Sequence, residues 1–220
     1  MHLPTLSAHL CGPSLPTLSG NIYCIGRNYA DHVRELKNEL PAEPVVFLKA
    51  PAALRPFAEG PLAFASEEFH HELEIVMLVG QALEPGTPAT RSHIAAMSLG
   101  LDLTRRGVQD QLKAKGLPWT TAKSFSGSAL LHPFRALATD VDLRAIDLRL
   151  TVEGELRQEG SSAQMMFTFE VILQFLASLH PLQPGDLIYT GTPAGVGPLR
   201  RGQRMQIESR ALKIDARGVL

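Results

Sequence analysis

Apolar residues recur in short alternating or continuous runs more often than at helical spacing, so the pattern predicts a strand-dominated chain. Strands are expected over Asn21–Ile25, Val45–Leu48, Met97–Asp102 and Leu187–Thr190, and over Glu72–Val79, whose IVMLV half is apolar on both faces and therefore buried. Leu148–Val152 and Glu155–Gln158 flank a Glu153-Gly154 turn and read as a hairpin. Helices are expected over Asp31–Lys37, stopped by Pro41, and over Thr104–Lys115, closed by Gly116 and Pro118. A third, Ser161–Leu179, carries Met165, Met166, Phe169, Ile172, Leu173 and Leu176 at helical spacing. Residues 1–20, rich in Pro, Ser and Leu, read as an extended, irregular segment, and Pro51–Pro61 as loop. Helices that do not alternate with strands predict an α+β fold, mainly β and mainly antiparallel, in one domain over 21–220.

Composition narrows the function more than the fold. A chain of 220 residues buries a sizeable core without disulfides or a structural metal, so a metal here would serve chemistry. The 21 basic and 22 acidic residues are interspersed, which argues against nucleic acid or an anionic membrane as partner. Cys11 and Cys24 fit no metal or redox motif, no apolar run reaches the length of a membrane span, and the first twenty residues lack Lys and Arg. The cytoplasm is the expected location.

Glu72 and Glu74, two apart in His70-His71-Glu72-Leu73-Glu74, point to one face of a strand, about 7 Å apart along it. Asp102 ends a second apolar run. Three converging carboxylates call for a cation, and all-oxygen ligation suits Mg2+ or Mn2+. Spacing by itself favours a plainer alternative: the glutamates as a solvent face and Asp102 as a turn residue. Zinc does not fit, since adjacent histidines face opposite ways in a strand. His32 and Glu35, three apart on a helix, can meet as an imidazole–carboxylate pair able to activate water, although such a pair is more often a surface contact. Lys123 alone reads as a surface lysine. Arg106 and Gln109 share a helix face, and Gly191–Pro198 is a turn with neither Walker nor dinucleotide glycine spacing.

Five separated segments change those odds. CIGRNYADHVRELKNELPAEPVVFLKAPAAL, HHELEIVMLVG, LGLDLTRRGVQDQLKAKGLPWTTAKSF, GELRQEGSSAQMMF and GDLIYTGTPAGVGPL resemble, in order, the motifs of small fumarylacetoacetate hydrolase-family proteins of the acylpyruvate hydrolase and oxaloacetate decarboxylase type. The resemblance implies a rolled or barrel-like β core with few helices, usually dimeric. It implies Glu72, Glu74 and Asp102 as Mg2+ or Mn2+ ligands, and His32 with Glu35 as the water-activating dyad. Lys123 would stabilise a developing enolate, while Arg106, Gln109 and the Thr192 hydroxyl would bind the substrate. Arg27, Asn28 and Lys49 are further candidates for the cavity wall. The family usually has an acid after the arginine where this chain has Gly107, so an orienting partner for Arg106 is missing from the pattern.

The implied reaction is hydrolysis of a C–C bond in an acylpyruvate, a small anionic 2-oxo acid, with decarboxylation of oxaloacetate through the same pyruvate enolate. The alternatives are an isomerase or tautomerase of 2-oxo/enol diacids, and a non-catalytic ligand-binding protein of the same fold. A homodimer is expected from the family.

Overall fold

The computed structural model describes residues 3–35, 39–58 and 69–220. Its helices are α1 (Leu3–Cys11), α2 (Ala30–Glu35), α3 (Arg106–Ala114), α4 (Thr120–Lys123) and α5 (Phe169–Leu179). The strands begin with β1 (Ile22–Gly26), β2 (Val45–Lys49), β3 (Leu54–Pro56), β4 (Phe69–His71), β5 (Leu73–Val79), β6 (Ile94–Asp102) and β7 (Ala129–Leu131). They continue with β8 (Arg135–Ala136), β9 (Asp147–Val152), β10 (Glu155–Ser161), β11 (Leu187–Tyr189), β12 (Gly197–Leu199), β13 (Arg204–Ser209) and β14 (Ile214–Val219).

The main sheet runs β2-β1-β11-β5-β6-β7-β3, with β8 on the side of β6. It is antiparallel except where β1 meets β11 and β3 meets β7. A second sheet, β10-β9-β13-β14, is antiparallel throughout. Every residue of β5 is buried, because alternate side chains enter two different cores. Leu73, Ile75, Met77 and Val79 pack with Leu148 and Leu150 of the second sheet and with Ile172, Leu173 and Leu176 of α5. Val76 and Leu78 pack on the opposite face with Leu6 and Leu10 of α1 and with Tyr189. The mainly β, α+β expectation is met.

Three local expectations are corrected. Leu3–Cys11 is helical rather than extended: Pro4 sits in the first turn, where its missing N–H costs no helical bond, and Leu6 and Leu10 dock one face into the core. Leu54–Pro56 is a short edge strand inside the expected loop, pairing with β7 and ending on a proline. The third long helix begins at Phe169, because Thr168 caps it by accepting from Val171 N at 3.4 Å. Upstream, Ser161 and Gln164 close a separate 3-10 turn, and Met166 N donates to the Asn28 carbonyl at 2.8 Å. The hairpin is as expected, with Glu153 and Gly154 both at positive φ, the pair a type I′ turn needs. Lys37 and Pro61, the far ends of an expected helix and loop, lie outside the described residues.

Candidate functional site

Glu72 occupies the single-residue break between β4 and β5, and its carbonyl accepts from Asp102 N at 2.9 Å. Glu74 stands opposite Gly100, so alternation along both strands turns Glu72, Glu74 and Asp102 to one face. One carboxylate oxygen from each can be chosen so that all three lie within 4.8 Å of one another, and all three residues are buried.

Cations crowd this cluster. Lys123 Nζ lies 2.5 Å from Glu72 Oε2 and 2.7 Å from Asp102 Oδ2. Lys49 Nζ lies 2.7 Å from Asp102 Oδ1, and Arg106 pairs with Glu72 Oε1. Burial alone would raise the Glu72 pKa, but Lys123, Arg106 and His32 outweigh it and hold that carboxyl below the usual range. Glu74 goes the other way. Burial first, then Asp102 and Glu72, push it well above the ordinary carboxylate value, while the Gly191 N–H donates to its Oε2 at 2.7 Å. Burial opposes the charge on Lys123, yet Asp102 and Glu72 raise it above the usual lysine value, so it remains an ammonium.

A divalent cation fits this donor set. The ligands are all oxygen, and Glu74 is a buried carboxylate whose charge is disfavoured until a cation arrives.

His32 enters the same cavity from α2, joined in its lining by Gln109, Lys113, Trp119 and Thr192. Its Nδ1 lies 3.2 Å from Glu35 Oε2, and Gly195 N donates to both oxygens of Glu35 at 3.1 and 3.3 Å. The Glu35 carboxylate accepts a hydrogen bond from Nδ1–H, so the proton stays on Nδ1 and Nε2 is the basic nitrogen. Burial lowers the His32 pKa below its ordinary value, against the opposing pull of Glu72 and Glu35. Gly195 has φ +95°, and a Cβ there would collide with the Arg157 carbonyl, so this anchor requires glycine.

Arg106 finds its orienting partner in Gln109, to whose Oε1 it donates at 2.6 Å, rather than at position 107. A Cβ at Gly107 would meet nothing within 4 Å. Thr192 lines the cavity, but its hydroxyl donates to the Leu73 carbonyl at 2.8 Å and accepts from Gln158 Nε2 at 2.7 Å. Its one proton is committed to the backbone, so in this arrangement it has none to give a substrate carboxylate. Arg27 belongs to the lining, whereas Asn28 and Lys49 are buried behind it.

Gln158 escaped the sequence reading because it sits in a strand that is otherwise mostly exposed. A register shift between Leu156 and Gln158 turns it inward. Its Oε1 lies 2.9 Å from Leu73 N and 3.0 Å from His71 Nδ1, and its Nε2 also donates to the Pro193 carbonyl at 2.9 Å. Leu73 N can only donate, so the amide is oriented with Oε1 towards it, and His71 must carry its proton on Nδ1. The amide thus locks the break that presents Glu72. Gln158→Leu is expected to lose about 3 kcal/mol of stability in urea unfolding, since several buried polar groups lose their partners. A loss under about 1 kcal/mol would show that the amide is not the clamp.

Comparison with known proteins adds an independent line. The family described as fumarylacetoacetate (FAA) hydrolase, C-terminal, matches residues 21–216. The mitochondrial oxaloacetate tautomerase of Bos taurus is 43% identical over 188 residues, covering 84% of this chain and 85% of that protein. The mitochondrial oxaloacetate decarboxylase of Dictyostelium discoideum is 35% identical over 197 residues, covering 88% and 90%. The crystal structure of fumarylpyruvate hydrolase from Pseudomonas aeruginosa, in complex with Mn2+ and pyruvate, superposes with a TM-score of 0.84 at 30% identity, covering 94% of this chain and 92% of that one.

Proposed function

Because the chain belongs to the fumarylacetoacetate hydrolase family, we propose that it is a divalent-cation-dependent enzyme that forms and consumes the enolate of small 2-oxo acids, oxaloacetate keto–enol exchange being its first reaction. The observation that carries this reading is the shared cavity. One space holds three carboxylates, the Lys123 ammonium and the His32 imidazole backed by Glu35. The resemblance to an oxaloacetate tautomerase supports the choice of substrate.

Glu72, Glu74 and Asp102 are the ligands for Mg2+ or Mn2+, which when bound would polarise the 2-oxo oxygen as a Lewis acid. His32 Nε2 takes a proton from C3 of the keto acid, and Glu35 steadies the imidazolium that results. Lys123 spends two of its three N–H donors on Glu72 and Asp102, which leaves the third to stabilise the developing enolate oxygen. Returning the proton to oxygen completes the enol, and the reverse order restores the ketone, with no net change in atoms. Arg106, held by Gln109 and Glu72, places a guanidinium beside the substrate carboxylate.

Hydrolysis of acylpyruvates is the second reading, favoured by the same dyad. An imidazole tied to a carboxylate activates water as readily as it abstracts a carbon-bound proton. Carbon–carbon cleavage would then release an acid and leave the pyruvate enolate facing Lys123. Following the ultraviolet absorbance of enol-oxaloacetate with Mn2+, with and without chelator, separates these outcomes. Cation-dependent acceleration of its decay is expected. Acetylpyruvate and fumarylpyruvate in heavy-oxygen water test the second reading, with label expected in the released acid. No acceleration with oxaloacetate and no turnover of either acylpyruvate would overturn the whole assignment.

A further inference from the structure

Among the described residues, the cavity lining holds four cationic side chains, Arg27, Arg106, Lys113 and Lys123, and three carboxylates, Glu72, Glu74 and Asp102. Glu72 and Asp102 are already matched by Lys49, Lys123 and Arg106 at the inner end. Lys113 brings a further cation to the same lining, and Arg27 stands in that lining too.

Helix geometry places Lys113 along the cavity rather than at random. Arg106, Gln109 and Lys113 are three and then four residues apart, so α3 presents them as one stripe about 10 Å long. Side chains on a helix lean towards its N-terminus, which here carries the Lys113 ammonium inward, towards Arg106. Its Nζ lies 5.5 Å from the centre of the Trp119 ring, and Trp119 in turn packs 6.0 Å from Phe47, another wall residue. Arg27 arrives from the turn after β1 in the left-handed region, at φ +60°, an uncommon conformation for a residue other than glycine. Burial and then Arg106 lower the Lys113 pKa, and Arg27 adds to this, while Asp110 and Glu72 oppose it. Cations are thus held close together against an aromatic wall, an arrangement that a second anion would relieve.

We propose that Lys113, with Arg27, forms a second carboxylate subsite in this cavity, so that among 2-oxo acids the protein selects diacids. This rests on the 2-oxo acid reading above. It assigns Lys113 a role in specificity, separate from the groups that move protons.

The test uses two non-reacting acids of equal length, 2-oxoglutarate and 2-oxopentanoate, titrated calorimetrically into the Mn2+-loaded protein. The wild type is expected to bind the diacid about tenfold more tightly, as one charged hydrogen bond would give. Lys113→Met should collapse that ratio to about threefold or less, and Lys113→Arg should keep it. The kcat/KM ratio of oxaloacetate to acetylpyruvate should fall in parallel in Lys113→Met. A wild type that binds both acids equally, or a Lys113→Met variant that keeps the ratio, would overturn the subsite alone. A wild type that neither binds nor turns over any 2-oxo acid would overturn the 2-oxo acid reading and the subsite with it.

Discussion

Replacing His32 with alanine is expected to lower kcat/KM for oxaloacetate by about 10²–10⁴-fold, the usual contribution of a positioned acid–base group. Metal binding should survive, because His32 lies outside the Glu72, Glu74 and Asp102 cluster. Mn2+ affinity measured by calorimetry should therefore stay within about threefold of wild type, about 0.65 kcal/mol. The pH dependence follows from burial, which lowers the imidazole pKa and keeps His32 neutral and basic through pH 7. The acid limb of kcat/KM should accordingly lie below the 6.5 of an ordinary histidine. Turnover within about tenfold of wild type in His32→Ala would remove the dyad from proton transfer, since that falls short of the contribution expected of it.

Cation removal carries the second large effect. Glu74 has its carboxyl raised, so in the metal-free protein it contributes stability in its protonated form. That contribution is complete below the ordinary carboxylate value of 4.5 and is lost as pH climbs through the raised value of the folded protein. The metal-free Tm should thus fall as pH rises above 4.5, and Glu74→Gln, which mimics the protonated group, should flatten the fall. Mn2+ at about a hundred times its Kd should raise the wild-type Tm by about 5–10 °C at neutral pH. In Glu74→Gln the shift should be small, and chelator should abolish turnover in the wild type. A wild-type Tm indifferent to Mn2+, or one raised equally in Glu74→Gln, would count against the three carboxylates as the ligand set. Glu72 has the opposite sign, with its contribution lost only as pH falls, so it does not mimic this profile.

Local spacing made two pairs of the site legible as pairs, and the resemblance of five surrounding segments to a known family gave them their roles. Glu72 and Glu74 share a face by strand periodicity, and His32 and Glu35 meet by helix periodicity, as the 3.2 Å contact shows. Thr192 was legible only as a cavity residue. The use of its hydroxyl depends on Gln158, which lies 34 residues earlier and is turned inward by a bulge. Lys49 was legible only as a candidate for the cavity wall and Gly195 only as part of a turn, because each acts on a group far away in the chain, Asp102 and Glu35 respectively. The helix at Leu3–Cys11 was hidden by its own proline, which marks a break anywhere except in a first turn.

By itself the sequence determined the strand-rich class, the buried β5 and the residue pairs set by helix or strand period, because those follow from repeats of two and 3.6 residues. The family resemblance implied Asp102 as the third ligand, and only the tertiary structure decided that Lys49, Lys123 and Arg106 pair with Glu72 and Asp102 and that α3 points Lys113 into the same cavity. These depend on register between strands and on the docking of helices. Both are fixed by the packing of two cores rather than by any local run of residues.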